Sequence, residues 1–143
     1  MFHLPQHNNQ EENYEHRSSV IYPVLRRPRH TKRGTVAQMS RNNMGNRKVT
    51  MLKTAVPPLT NDAEFFPGMP KNWGLTFMIN EQQAPTGCSA GGLAWAGLAN
   101  SYYWIDQQNG VVGVFLSQVL PFADGKALPL YYAFEKSVYQ AMA

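Results

Sequence analysis

The chain has 143 residues, 43% of them hydrophobic and 12% aromatic, with a formal net charge of +4; that suits one domain with a real core. The charge is uneven: residues 1–33 hold six Lys/Arg and three Asp/Glu, and residues 34–143 hold seven and six, so a basic nucleic-acid footprint is confined to a tail. One cysteine, Cys88, excludes an internal disulfide and a cysteine-based zinc site, and no apolar run approaches the roughly 18 residues of a membrane-spanning helix.

Met1-Phe2-His3-Leu4-Pro5 has neither the basic start nor the apolar core of a signal peptide, so a cytoplasmic location is expected. Residues 1–33 read as a disordered or irregular basic tail. Gln, Asn, His and Glu dominate up to His16, and Arg26 to Arg33 adds a charge run around Pro28. Val20-Ile21-Tyr22 and Val24-Leu25 offer too little surface to offset the entropy of ordering. The run reads as a solvated tail, with a nucleic-acid or membrane-surface contact and an artefact of how the reading frame begins as the other readings.

A helix is expected from Thr35, which has capping-box spacing to Gln38. Val36, Met39 and Asn43 would share a face, and Gly45 would be the stop. Residues 46–72 read as a long loop punctuated by Pro57-Pro58, Asn61-Asp62, Pro67-Gly68 and Pro70, pinned by Phe65 and Phe66. The first strand is expected over 73–80, with Trp73, Leu75, Phe77 and Ile79 on one face. A connection with Pro85 and Gly87 leads to strands over 91–97 and 100–107. Asn109-Gly110 then marks a tight hairpin turn. The next run, 111–120, is nearly all apolar and reads as a central strand covered on both faces. Asp124 is placed to cap a helix over 125–141, with Pro129 in its first turns. Leu130, Phe134, Val138 and Ala141 would form its buried stripe, flanked by Tyr131 and Met142. The pattern as a whole is α+β: an antiparallel sheet with a C-terminal helix across one face.

Several runs now form a familiar set: Trp73-Gly74-Leu75-Thr76-Phe77, Pro85-Thr86-Gly87-Cys88-Ser89-Ala90-Gly91, Leu93-Ala94-Trp95-Ala96-Gly97-Leu98-Ala99-Asn100, Tyr103-Trp104-Ile105-Asp106 and Leu120-Pro121-Phe122-Ala123-Asp124. Together they resemble the C-terminal part of the serine β-lactamase-related family, in its class C-like esterase and transesterase branch. Val36 to Asn42 and Asn61 to Gly68 resemble the same branch, so the resemblance covers about 34–143 and leaves out 1–33. It implies part of a β-lactamase/penicillin-binding-protein-like (transpeptidase) fold and acyl transfer through a serine ester. In such proteins Ser-x-x-Lys supplies nucleophile and base, Tyr-x-Asn assists proton transfer, and a third motif lies on the strand bordering the cleft. Trp95-Ala96-Gly97 matches that third motif. The resemblance thus makes Trp95 an apolar wall, Gly97 the opening for an acyl group, and the Leu98 N–H the oxyanion donor. From local sequence alone, Trp95 reads as a core aromatic and Gly97 as a bulge or packing glycine.

The nucleophile is missing. No Ser-x-x-Lys and no Tyr-x-Asn occurs; Thr50-Met51-Leu52-Lys53 has the spacing but falls in the loop. His3, His7, His16 and His30 all lie in the tail, so neither a histidine triad nor a metal site is expected. Asp62 and Glu64 read as solvated or capping carboxylates. Cys88 stands where the family usually has Arg between that Gly and Ser, and nothing nearby activates its thiol. The chain is therefore expected to be a C-terminal fragment of a serine β-lactamase-like hydrolase, inactive alone, without metal or cofactor. Its partner would be a small ester or amide substrate once the site is completed. The alternatives are a non-catalytic truncated paralogue or interaction subunit and, last, a basic-tailed nucleic-acid binder. An uncovered sheet edge and apolar face would promote self-association.

Overall fold

The structure is a computed structural model that describes residues 32–143. Apart from Lys32 and Arg33, the tail expected over 1–33 lies outside the described residues, as do all four histidines. The elements in chain order are α1 (Arg33–Met39), β1 (Lys71–Trp73), β2 (Met78–Asn80), β3 (Leu93–Gly97), β4 (Ser101–Asp106), β5 (Val111–Phe115) and α2 (Ala127–Met142). The five strands form one antiparallel sheet in the order β1-β2-β3-β4-β5. With α2 against one face, the described residues have the α+β arrangement that the sequence pattern calls for.

β4 shows most directly how the sequence sets the sheet. Ser101 to Asp106 alternates half-buried and buried positions, as a pleated strand must. Tyr102, Trp104 and Asp106 point toward α2. Tyr102 stacks on Tyr131 at 4.7 Å, and Trp104 meets Phe134 edge-on at 5.4 Å. Its register is held at both ends by turn chemistry. At one end Asn100 takes φ +58°, a conformation Asn tolerates. Its buried amide donates to the Val119 and Pro121 carbonyls, while its Oδ1 accepts from the Tyr102 hydroxyl and the Asp124 N–H. At the other end Asp106 Oδ1 accepts the Gln108 and Asn109 N–H groups, and Gly110 supplies φ +68°.

Gly113 lies opposite Trp104 in the β4–β5 pair, and a Cβ there would come within 1.8 Å of the buried indole. Gly113→Ala therefore forces the largest core side chain to shift. The expected cost is about 2 kcal/mol, read as a lower urea midpoint with an unchanged slope.

Four expectations are corrected. The helix expected to run from Thr35 toward Gly45 spans Arg33–Met39, with Lys32 and not Thr35 as its first cap and Ser40 as its last. Asn43 ends it. Its N–H donates to the Trp73 carbonyl and its amide to the Gln38 and Arg41 carbonyls, which turns the chain toward β1. The strand expected over 73–80 is instead the tight hairpin of β1 and β2, so Leu75 is exposed at its tip. Gly74 causes the break. Its N–H donates to the Phe77 carbonyl, and it lies so close to the Met39 carbonyl that a Cβ would come within 2.1 Å. The strand expected over 111–120 stops at Phe115, and it is an edge strand with Val112 and Val114 exposed. The buried side of α2 is shifted from the expected stripe: Ala127, Tyr131 and Glu135 are buried, whereas Leu130 and Phe134 are exposed.

Other features hold their expected places. The Asp124 carboxylate accepts the Lys126 and Ala127 N–H groups just ahead of α2, although the N-cap residue itself is Lys126 and the helix starts two residues later than expected, and Pro129 lies in the first turn. The loop before β1 is pinned by Phe65, which packs among Trp95, Tyr102 and Phe122. Phe66 takes φ +47°, held by a stack on Tyr132 at 4.5 Å.

Candidate functional site

β3 carries the three residues singled out by the sequence. Trp95 pairs with Tyr103 and Gly97 with Ser101 across the β3–β4 ladder, and Leu98 opens the turn that follows. The three therefore lie together along one strand end. Trp95 is half-buried, edge-on to Trp73 at 4.5 Å and tilted against Phe65 at 6.0 Å. It is an aromatic packing residue, partly accessible. Trp73 also lines a groove of about 400 Å3 with Met44, Lys48, Val49, Thr50 and Leu52; Trp95, Gly97 and Leu98 are not part of its lining.

Gly97 is exposed, and no steric demand of the fold requires a glycine there. Its φ is not in the left-handed region, and a Cβ would meet Ser101 only at 3.9 Å, an ordinary contact. Gly113, the other glycine within a strand, would collide with Trp104. Leu98 is 51% exposed, and among the described residues no backbone acceptor takes its N–H. The strand end thus presents an approachable backbone with an aromatic wall beside it.

Among the described residues no nucleophile and base meet there. Ser101 Oγ donates to the Ser117 carbonyl, and Ser117 Oγ donates to the Ala99 and Asn100 carbonyls, so both hydroxyls are committed to the backbone. Ser40 Oγ donates to the Val36 carbonyl. Lys53 pairs with Asp62 at 2.7 Å, which with the Thr54 N–H holds the Asp62 carboxyl below its usual range. Among the described residues no cluster of three His, Cys, Asp or Glu side chains is disposed to hold a metal ion. Cys88 is buried, and burial pushes its thiol up to about 12, with the nearby Tyr139 hydroxyl only partly opposing it. It is an inert core thiol.

Three buried ionisable groups escaped the sequence reading. Lys71 in β1 is 2% exposed. Its Nζ donates to the Met69 and Phe66 carbonyls, and burial lowers its pKa against the pull of Glu64. It anchors the loop before β1. Asp106 ends β4. Burial pushes its carboxyl up, but the bonds from Ser89 and Asn109 outweigh that and bring it down to about 2. Glu135 lies within the buried stripe of α2. Burial raises its pKa to about 7, only partly countered by the Thr86 and Tyr131 hydroxyls, and neither Glu135 Oε2 nor Thr86 Oγ1 closes a hydrogen bond. Only a carboxylate at helical spacing from Tyr131 signals Glu135 in the sequence, and that pattern usually marks a solvated face.

No protein-family model matches the sequence, and no curated protein does. Among solved structures, the chain is similar to simvastatin synthase (LovD) from Aspergillus terreus in its LovD9 mutant form. The TM-score is 0.50 at 24% sequence identity, over 52% of this chain and 19% of that one. The chain thus spans about a fifth of the length of that structure. At this identity the likeness speaks for the fold alone: a five-stranded antiparallel sheet with its C-terminal helix, as part of a β-lactamase-like fold.

Proposed function

We propose that this chain supplies one wall of an acyl-transfer site of the serine β-lactamase-like hydrolase and acyltransferase type. The third motif is Trp95-Ala96-Gly97, and the Leu98 N–H is the oxyanion donor. The observation that carries this reading is Gly97, an exposed strand glycine that no steric contact of the fold requires, beside an N–H without a backbone acceptor. A developing oxyanion needs such a donor aimed at it from a backbone that no side chain blocks. Trp95, half-buried beside Gly97, suits a small apolar acyl group. The serine nucleophile and its base come from outside these residues, since the sequence holds no Ser-x-x-Lys. The likeness to simvastatin synthase in fold supports the reading. A second reading, a non-catalytic module, is favoured by the packing of Trp95 between Phe65 and Trp73.

The purified chain is expected to give no serine-dependent turnover of p-nitrophenyl acetate; turnover abolished by a fluorophosphonate would show that the site is already complete. In a longer reading frame that adds an in-frame Ser-x-x-Lys, Gly97→Val lowers kcat roughly 100-fold, the scale of losing one oxyanion donor, while the melting temperature holds. Full activity in that variant would remove β3 from the site.

A further inference from the structure

We propose that the β4–β5 turn carries a site of covalent self-modification. Asn109 converts to a mixture of aspartate and isoaspartate, and the hydrogen bonds that hold its amide in the fold set the rate.

Asn109-Gly110 is the sole Asn-Gly pair in the sequence, and both residues are exposed. Asparagine is a thermolabile residue. A glycine after it leaves the next backbone nitrogen open to the side-chain carbonyl carbon, because no Cβ stands in the way. Among the described residues the Gly110 N–H donates to no acceptor, so that nitrogen is free to act as the nucleophile. The step needs only water. The Gly110 nitrogen bonds to Asn109 Cγ as the Cγ–Nδ2 bond breaks. Nδ2 leaves as ammonia with the Gly110 amide proton, and a five-membered succinimide remains. Water then opens the ring. Cleavage of the nitrogen bond at Cγ gives aspartate, and cleavage at the main-chain carbonyl carbon gives isoaspartate.

The fold acts against this step. Asn109 Nδ2, the leaving group, donates to Ser89 Oγ at 2.9 Å and to Asp106 Oδ2 at 3.0 Å. The Asn109 N–H is held by Asp106 Oδ1 at 3.0 Å. Closing the ring takes the side chain away from its staggered rotamer, and it cannot turn without breaking both amide bonds. Conversion therefore belongs to molecules whose turn has opened, a local event that costs less than unfolding.

The converted turn cannot close as before. An acid at position 109 has no N–H to offer Ser89 Oγ or Asp106 Oδ2, and its carboxylate meets that of Asp106 as a like charge. Isoaspartate also adds one backbone atom to the link 107–110, against the Asp106–Val111 register. Either product unfastens the turn from Ser89 and the connection before β3.

The test is to age the full chain at neutral pH and map its peptides by mass spectrometry, with enzymatic methylation to count isoaspartate. The folded wild type is expected to convert at residue 109, more slowly than the same chain held unfolded in urea. Ser89→Ala removes one acceptor of the amide. It should convert roughly fivefold faster than the wild type, the factor that one net hydrogen bond sets, with a thermal melt showing that it folds. Asn109→Asp, which installs one product, should melt at a lower temperature than the wild type. Conversion at residue 109 in urea but not in the folded chain overturns the site. Equal rates in the folded and unfolded wild type overturn the role given to the amide bonds, whether or not Ser89→Ala folds. A folded Ser89→Ala that converts no faster than the wild type does the same. An Asn109→Asp variant as stable as the wild type overturns the effect drawn for the turn.

Discussion

Asp106→Asn is expected to cost about 3 kcal/mol of stability, the scale of leaving two buried donors unpaired. In the wild type Asp106 Oδ2 accepts from the Ser89 N–H, the Asn109 amide and the Tyr139 hydroxyl, while Oδ1 accepts the two turn N–H groups. One side chain thus joins the connection before β3, the β4–β5 turn and α2. An asparagine can keep the turn bonds through its carbonyl. Its NH2 then points at three donors, and the Tyr139 hydroxyl already accepts from Trp104 Nε1.

The same substitution changes the acid limb of the stability curve. The folded pKa of Asp106 is depressed to about 2 from 3.8. Its contribution is therefore present above about 4 and is lost as the pH falls toward 2, by about 2 kcal/mol. Urea unfolding between pH 2 and 7 should show this loss in the wild type and not in the variant. Equal slopes in both would remove Asp106 from the role given to it.

Glu135→Gln acts in the opposite direction. The folded pKa of Glu135 is raised to about 7 from 4.5, so the folded state holds the proton more tightly than the unfolded chain. The stabilising contribution of that proton is complete below about 4.5 and is lost as the pH rises through 7. Above that range the ionised carboxylate costs about 3 kcal/mol in the interior. The glutamine variant, neutral throughout and able to donate to the unpartnered Thr86 Oγ1, should be more stable than the wild type by about that amount at pH 8 and equal to it near pH 3.5, below the unfolded-state pKa of 4.5. Thermal melts at the two pH values measure the difference. An identical pH profile for the two proteins would mean that Glu135 ionises freely. The Asp106 charge also pushes Glu135 upward, so Asp106→Asn should shrink the pH effect.

Much of the fold was legible because the signals were local. The Asn109-Gly110 turn, the alternation in Ser101 to Asp106 and the Asp124 cap each act within a few residues, and each is found where the sequence places it. The errors came from contacts across the chain. Trp73, Leu75, Phe77 and Ile79 alternate as one strand would, but the Met39 carbonyl pressed against Gly74 turns the chain back, and no window around residue 74 contains residue 39. The run from Val111 reads as central because apolarity signals burial. Nothing in a strand's own residues says whether a neighbour is supplied. On α2 the buried row includes Glu135, a residue type that hydrophobic periodicity excludes from a core, and so the stripe was read one residue out of place.

The candidate site was legible in part. Trp95, Gly97 and Leu98 could be named because they resemble a family motif, and the structure puts them at one strand end with an open approach. That Trp95 leans on Phe65 and Trp73 was not readable, because those partners lie 30 and 22 residues away. The buried groups at Lys71, Asp106 and Glu135 were missed for the reason that makes them informative. Charged residues are buried only when the surrounding fold provides for them, and composition carries no trace of that.

The order of the strands has a kinetic consequence. Every neighbouring pair in the sheet is also consecutive in the chain, joined through residues 74–77, 81–92, 98–100 and 107–110. Closing such short loops loses little entropy, and sheets dominated by near-sequence pairings form quickly. The β3–β4 hairpin, with its three-residue link and five paired positions, is the natural seed, and β2 and β5 zip onto its flanks. The strand end bearing Gly97 and Leu98 is therefore expected to form early in folding, as high φ-values for substitutions in β3 and β4 would show.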